Sequence, residues 1–151
     1  MIGLLQRVRQ AQVDIGADRI ASIGSGLLVL IGVQHNDNDA TADRLLERLL
    51  GYRVFADADG KMNLNIKQAA GELLLVPQFT LAADTRSGMR PGFSTAASPA
   101  EGQQLFTYLL DQARKQPLPV ASGQFGKDMQ VSLVNDGPVT FWLEVNPAVT
   151  C

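Results

Sequence analysis

Apolar and polar residues nearly alternate in "LLQRVRQAQVDI", Leu4 to Ile15, and the rhythm returns in "ADRIASI" after a break at Gly16-Ala17-Asp18. A period of two predicts strands separated by a turn over Met1 to Ile23. "GLLVLIGV", Gly26 to Val33, is apolar almost throughout and rich in branched side chains, the pattern of a buried strand. The period then changes. "HNDNDA" is a polar loop in which Asp39 or a neighbour caps a helix, and Ala42, Leu45, Leu46, Leu49 and Leu50 recur on one helical face. Arg44, Glu47 and Arg48 cover the other face.

"YRVFADADGKMNLNI" reads as strand, turn and extended piece, and Glu72 to Val76 as a further strong strand. On spacing alone "PQFTL", Pro77 to Leu81, continues that strand. "AADTRSGMRPGF" is a glycine-containing loop of a length that in a compact domain is more often functional than idle. Ser98-Pro99-Ala100-Glu101 is a capping box with proline at the first helical position. It opens a second helix with Gly102, Leu105, Phe106, Leu109, Leu110 and Ala113 on its apolar face. Arg114 and Lys115 suit the negative end of that helix, and Pro117 and Pro119 stop it. The chain closes with strands and a glycine-rich turn. In "VNDGPVTFWLEV", Asn135-Asp136-Gly137 looks like a hairpin tip, with a rigid Pro138 directly after it.

The pattern is that of one α/β domain: strands in two groups, two amphipathic helices between them. With 46% apolar and 19% charged residues in a chain of 151, a soluble globular protein is expected. The longest apolar run is too short for a bilayer and the N-terminus lacks a signal pattern, so a cytoplasmic location is expected. A net charge of −2 gives no basic stripe, so a nucleic acid would be held only by a small part. The single cysteine, Cys151, is the last residue, which leaves no internal disulfide, no cysteine zinc site and an unpromising thiol for catalysis. Any Ser-His-Asp or Cys-His site would have to be built on the single histidine, His35.

Single motifs are weak. His35 with Asp37 and Asp39 lacks further ligands at metal spacing and reads as a capped loop. Asp57-Ala58-Asp59-Gly60 resembles the start of a calcium loop, but the glycine comes too early and Gln68 stands where the closing glutamate would be, so it reads as a turn. "GSGLLV" runs into a strand and is no dinucleotide fingerprint. Thr80 is a possible nucleophile with no obvious base. Gln78 offers an amide, and the N–H groups of Phe79 and Thr80 could hold an oxyanion or a ring. Arg86 and Arg90 could meet phosphate or simply be solvated. "GQFGKDM" allows a close backbone approach to a ligand or a plain turn.

The order of the motifs carries more. "LQRV" (Leu5 to Val8), "GKMNL" (Gly60 to Leu64), "QFTL" (Gln78 to Leu81), "RPGF" (Arg90 to Phe93), "FGKDM" (Phe125 to Met129) and "NDGPVT" (Asn135 to Thr140) together resemble the D-aminoacyl-tRNA deacylases, over residues 1–145, with 146–151 as a tail. The resemblance implies two β-sheets with helices packed on one side, and a homodimer with its sites at the subunit interface. No metal and no cofactor are expected. The implied reaction is hydrolysis of the ester that joins a D-amino acid, or glycine, to the 3′-terminal adenosine of tRNA.

On this resemblance Gly137 and Pro138 form a cis pair that reaches into the partner's site. Two carbonyl oxygens on the same side would grip the substrate's α-amino group, while the backbone fills the space of an L side chain. Selection would exclude L rather than read D. Arg7 would hold the Gly-Pro geometry. Gln78, Phe79, Thr80 and Met129 would line the adenosine and ester end. The ribose 2′-OH could assist, with protein N–H donors stabilising charge. Three positions depart from the family pattern: Pro77 in place of serine, Gly92 in place of serine, and Lys127 in place of alanine. Two other readings are a threonine-nucleophile hydrolase built on Thr80 and a non-hydrolytic module that binds the aminoacylated tRNA end.

Overall fold

The structure, a computed structural model, describes residues 1–148. Residues 149–151 of the predicted tail 146–151, Cys151 among them, lie outside that range. The N-terminal alternation forms β1 (Ile2–Ile15), which turns through Gly16 and Ala17 into β2 (Asp18–Ile23), followed by β3 (Gly26–Gly32). Then come α1 (Asp39–Gly51), a small ribbon of β4 (Phe55–Ala56) and β5 (Met62–Leu64), and β6 (Glu72–Pro77). A 3-10 turn (Phe79–Ala82), α2 (Pro99–Arg114), β7 (Val120–Ser122) and β8 (Gln130–Glu144) complete a mixed α/β fold. No helix among the described residues is long and apolar enough to cross a membrane.

β1 organises the sheet. On one edge its first half pairs antiparallel with β3 and its second half with β2; on the other edge β8 runs antiparallel along nearly its whole length. β6 and β7 extend the sheet in parallel beyond β3. β2 lies against β6 and β7 without pairing to them, so the six-stranded sheet curls until it is nearly closed.

The period of two sorts β3 and β6 between two cores. Leu27, Val29, Ile31, Leu73 and Leu75 pack with Leu45 and Leu49 of α1 and Leu109 of α2. Leu28, Leu74 and Val76 point the other way, to Val8 and Val13. Burial on both faces is why these strands read as unbroken apolar runs. Every apolar residue expected on the two helix faces is buried. Asn38 is the neighbour that caps α1: its Oδ1 accepts from Thr41 N–H (3.0 Å), while Asn38 N–H donates to Thr41 Oγ1 (3.3 Å). At α2 only half of the expected box forms. Ser98 Oγ accepts from Glu101 N–H (3.3 Å), and Glu101 stays exposed, where water competes for its carboxylate.

Two places differ from the sequence expectation. "PQFTL" does not continue β6. Leu73 N–H donates to Pro119 O (2.9 Å), so by alternation residue 77 also faces β7, which has already ended at Ser122. Pro77 has no N–H to leave unpaired there. Gln78 N–H instead donates to Ile31 O (2.7 Å), and the chain coils over the end of β3. Gly32 permits the approach, since a Cβ on it would lie 2.9 Å from Leu81 Cβ.

Nor is Asn135-Asp136-Gly137 a hairpin tip. Gln6 pairs with Thr140 and Val8 with Asn135, so Asp136 to Val139 stand opposite Arg7 alone. A hairpin needs its two arms to pair with each other. Here both arms find the same longer partner, β1, and the strand resumes in its original direction after the interruption.

Candidate active site

Where β6 stops and the chain coils, a pocket of about 560 Å³ opens, walled by Pro77, Gln78, Phe79, Phe106, Phe125, Lys127 and Met129 among others. Its β6 side is furnished with unspent groups. Phe79 is 59% exposed, its ring tilted against Phe93 with centroids 5.3 Å apart. Among the described residues no protein acceptor takes the N–H of Phe79 or Thr80, the first two positions of the 3-10 turn. Gln78 Nε2 donates to Thr80 Oγ1. That is the hydroxyl's one side-chain partner among the described residues, and an amide is no base. Met129 Sδ accepts from Gln124 N–H (3.4 Å), which fixes the thioether at the other side of the pocket.

The second arrangement is the Asp136–Val139 protrusion. It contains a cis bond between Gly137 and Pro138. Arg7 Nε donates to Asp136 O (3.0 Å) and its Nη1 to Val54 O (2.6 Å), tying the protrusion to the segment after α1. The Arg7 side chain is only 15% exposed. The Asp136 carboxylate lies 3.7 Å from Arg7 Nε and 3.6 Å from Arg9 Nε. Gly137 has φ +139°, and a Cβ there would sit 2.7 Å from Val139 Cγ2 and 3.1 Å from Arg7 Nη2. The backbone at Gly137 is closed to other L residues on both counts.

The structure therefore brings Gln78, Phe79 and Met129 to one pocket, with Thr80 exposed beside them. It brings Arg7, Gly137 and Pro138 to another place; none of these three lines the pocket. Sequence reasoning passed over Val54, whose role is its carbonyl and leaves no side-chain signal. It also passed over Asn135, which stands in plain view two residues before Gly137.

Several weaker candidates have local structural partners. Asp57 accepts from Asp59 N–H (2.9 Å), Lys61 N–H (3.0 Å) and Asn63 Nδ2 (2.8 Å), a closed turn rather than a cation loop. Its bond from Asn63 above all holds the carboxyl below its ordinary value. His35 is exposed, and no group of three or more metal-binding side chains occurs among the described residues. Arg86 spends its guanidinium on Asp84 (2.9 and 2.8 Å), which holds that carboxyl down at about 2. Gly92 exchanges two backbone hydrogen bonds with Asp84 (2.7 and 3.0 Å) that a serine would make equally, and nothing in the structure explains the departure there.

Comparison with known proteins gives the class. The family model described as D-Tyr-tRNA(Tyr) deacylase matches residues 4–144, and the chain belongs to that family of ester hydrolases. Individual relatives sharpen this. The chain is 61% identical over 144 residues to the D-aminoacyl-tRNA deacylase of Pseudomonas syringae pv. tomato, covering 95% of this chain and 99% of that one. It is 57% identical over 145 residues to the D-aminoacyl-tRNA deacylase of Escherichia coli O81, covering 96% and 100%. Among solved structures, one described as c-Myc DNA Unwinding Element Binding Protein superposes with a TM-score of 0.92 at 36% identity, over 98% of this chain and 100% of that one. A probable eukaryotic D-amino acid tRNA deacylase gives a TM-score of 0.79 at 18% identity over 94% and 97%, a likeness of fold.

Proposed function

We propose that this chain hydrolyses the ester of D-aminoacyl-tRNA, and of mischarged glycyl-tRNA, to free tRNA and amino acid, while sparing L-aminoacyl-tRNA. Membership in the deacylase family over residues 4–144 carries the reaction. Residues 1–145 serve as one deacylase domain, with 146–151 as its tail, acting in the cytoplasm.

The finer reading is a homodimer whose helices cover one side of each protomer's layered sheet. One observation supports it above others: the protrusion of Gly137 and Pro138 is firmly built yet lies apart from the pocket of Gln78, Phe79 and Met129 in the same chain. A second copy supplies the missing half of each site. The partner's protrusion then grips the α-amino group and blocks an L side chain. The pocket takes the terminal adenosine, with Phe79 available for stacking and the N–H groups of Phe79 and Thr80 aimed at the ester. With no base at Thr80, the neighbouring ribose 2′-OH and positioned donors do the work. The serine hydroxyl usual at position 77 is absent, but the lost N–H faced no strand.

The test is to incubate the purified protein with D-tyrosyl-, L-tyrosyl- and glycyl-tRNA and follow ester loss. Fast loss of the D and glycyl esters with the L ester spared is expected. Equal loss of D and L would overturn the chiral reading. Tight binding of a D-aminoacyl-adenosine analogue without release of amino acid would leave only a holding module.

A further inference from the structure

The protrusion has a neck as well as a tip. Arg7 holds the tip through Asp136 O, but a four-residue excursion held on one side can still splay at its base. Asn135 closes that base. Its Nδ2 donates to Arg7 O (2.9 Å) on β1 and to Val139 O (3.0 Å) where the chain re-enters β8. Both hydrogens of one amide are thus spent across the gap, one on each rim. The residue is only half-buried and contributes no apolar packing to either core. Serine or aspartate could not duplicate it: a hydroxyl has one proton to give, and a carboxylate would meet two carbonyls with none.

We infer that Asn135 is a positioning residue for chiral selection: its amide sets the height and width of the Gly137-Pro138 protrusion, and so the discrimination between D and L esters. This inference rests on the proposed function. It assigns Asn135 no contact with substrate. A loosened neck would let the tip retreat from the volume an L side chain needs, so the first thing lost is the exclusion of L, ahead of turnover itself.

The experiment compares wild type, Asn135→Ser and Asn135→Ala on D-tyrosyl- and L-tyrosyl-tRNA, with thermal midpoints measured alongside. The ratio of D to L kcat/KM is expected to fall in the order Asn, Ser, Ala, by about tenfold between successive variants. Midpoints should shift by only a few degrees. If Asn135→Ala does not fold, the ratio for Asn135→Ser decides alone, because the hydroxyl leaves one polar donor at the neck. An unchanged D to L ratio in the folded variants overturns the inference even if midpoints drop, since that is what a merely structural asparagine gives. Wild type separates the two claims: failure of wild type to favour D defeats the proposed function, whereas a selective wild type with equally selective variants defeats only this inference.

Discussion

Two interrupted strands make the candidate site, and they are interrupted in opposite ways. At the end of β6 the backbone stops pairing and leaves groups open: two free N–H donors, an exposed phenyl ring and an amide. In the middle of β8 the backbone also leaves the ladder, but the side chains of Arg7 and Asn135 tie it down. The first is a receptor with capacity to spare, suited to groups common to every substrate, an adenosine and an ester. The second is a fixed obstacle, suited to rejecting a shape. Selectivity by exclusion needs rigidity, whereas binding a shared end needs only donors in place.

The comparison breaks most severely at Gly137. Gly137→Ala puts a Cβ within 2.7 Å of Val139 at a φ that L residues avoid, so the protrusion must move. Deacylation of the D ester should fall by up to about a hundredfold, the equivalent of ~2.7 kcal/mol and within the ~1–3 kcal/mol that such backbone strain costs, with the pocket's affinity for adenosine unchanged. Steady-state kinetics and adenosine titration check both halves.

Next is Arg7→Lys, expected to lower kcat/KM about tenfold and to leak L ester, because a single ammonium cannot reach both Asp136 O and Val54 O as the guanidinium fork does. A lysine variant with full activity would mean that charge alone suffices. On the receptor side, Thr80→Ala should cost about tenfold or less if backbone donors carry the chemistry, against on the order of 10⁴ or more for a lost nucleophile. Single-turnover rates separate the two. Pro77→Ser should change stability by less than about 0.5 kcal/mol, since no ladder bond depends on it, and denaturant melts will show it.

The smallest effect lies beyond the receptor, in the loop after the 3-10 turn. The Arg86 guanidinium holds the Asp84 carboxyl at about 2, below its ordinary 3.8. A carboxyl lowered in the folded state gives a contribution present above pH ~4 and lost as pH falls toward 2. Arg86 is exposed and Asp84 only partly buried, so the effect is local: amide protection factors across Asp84–Gly92 should fall as pH drops through that window, and Asp84→Asn should abolish the dependence.

What could be read from the sequence followed distance along the chain. The helices and the doubly buried strands were legible because their signals are local: Leu45 to Leu50 declare a helical face within a few residues, and Leu27 to Ile31 form a short unbroken apolar run. The β8 protrusion was not, because its meaning depends on β1 at the other end of the chain. Gly-Pro after Asn-Asp has turn chemistry in isolation, and only pairing with Gln6 and Val8 makes it an interruption. The end of β6 failed similarly, since Pro77 signals a stop only once β7 is known to finish at Ser122. Gln78, Phe79 and Thr80 stood out as polar and N–H groups at a strand end, whereas Arg7, Met129 and the roles of Gly137 and Pro138 came only through family resemblance. Asn135 carried a signal that could have been used: a short amide beside a backbone excursion commonly bonds the rims.

The same excursion bears on solubility. β8 is paired on one side only, and a strand running from Gln130 to Glu144 would present a long bare margin to any extended chain it met. Asp136 to Val139, with a proline among them, cut that margin into two short stretches that no single incoming strand can follow in register. The feature proposed to refuse the wrong amino acid thus also makes the protein a poor template for aggregation.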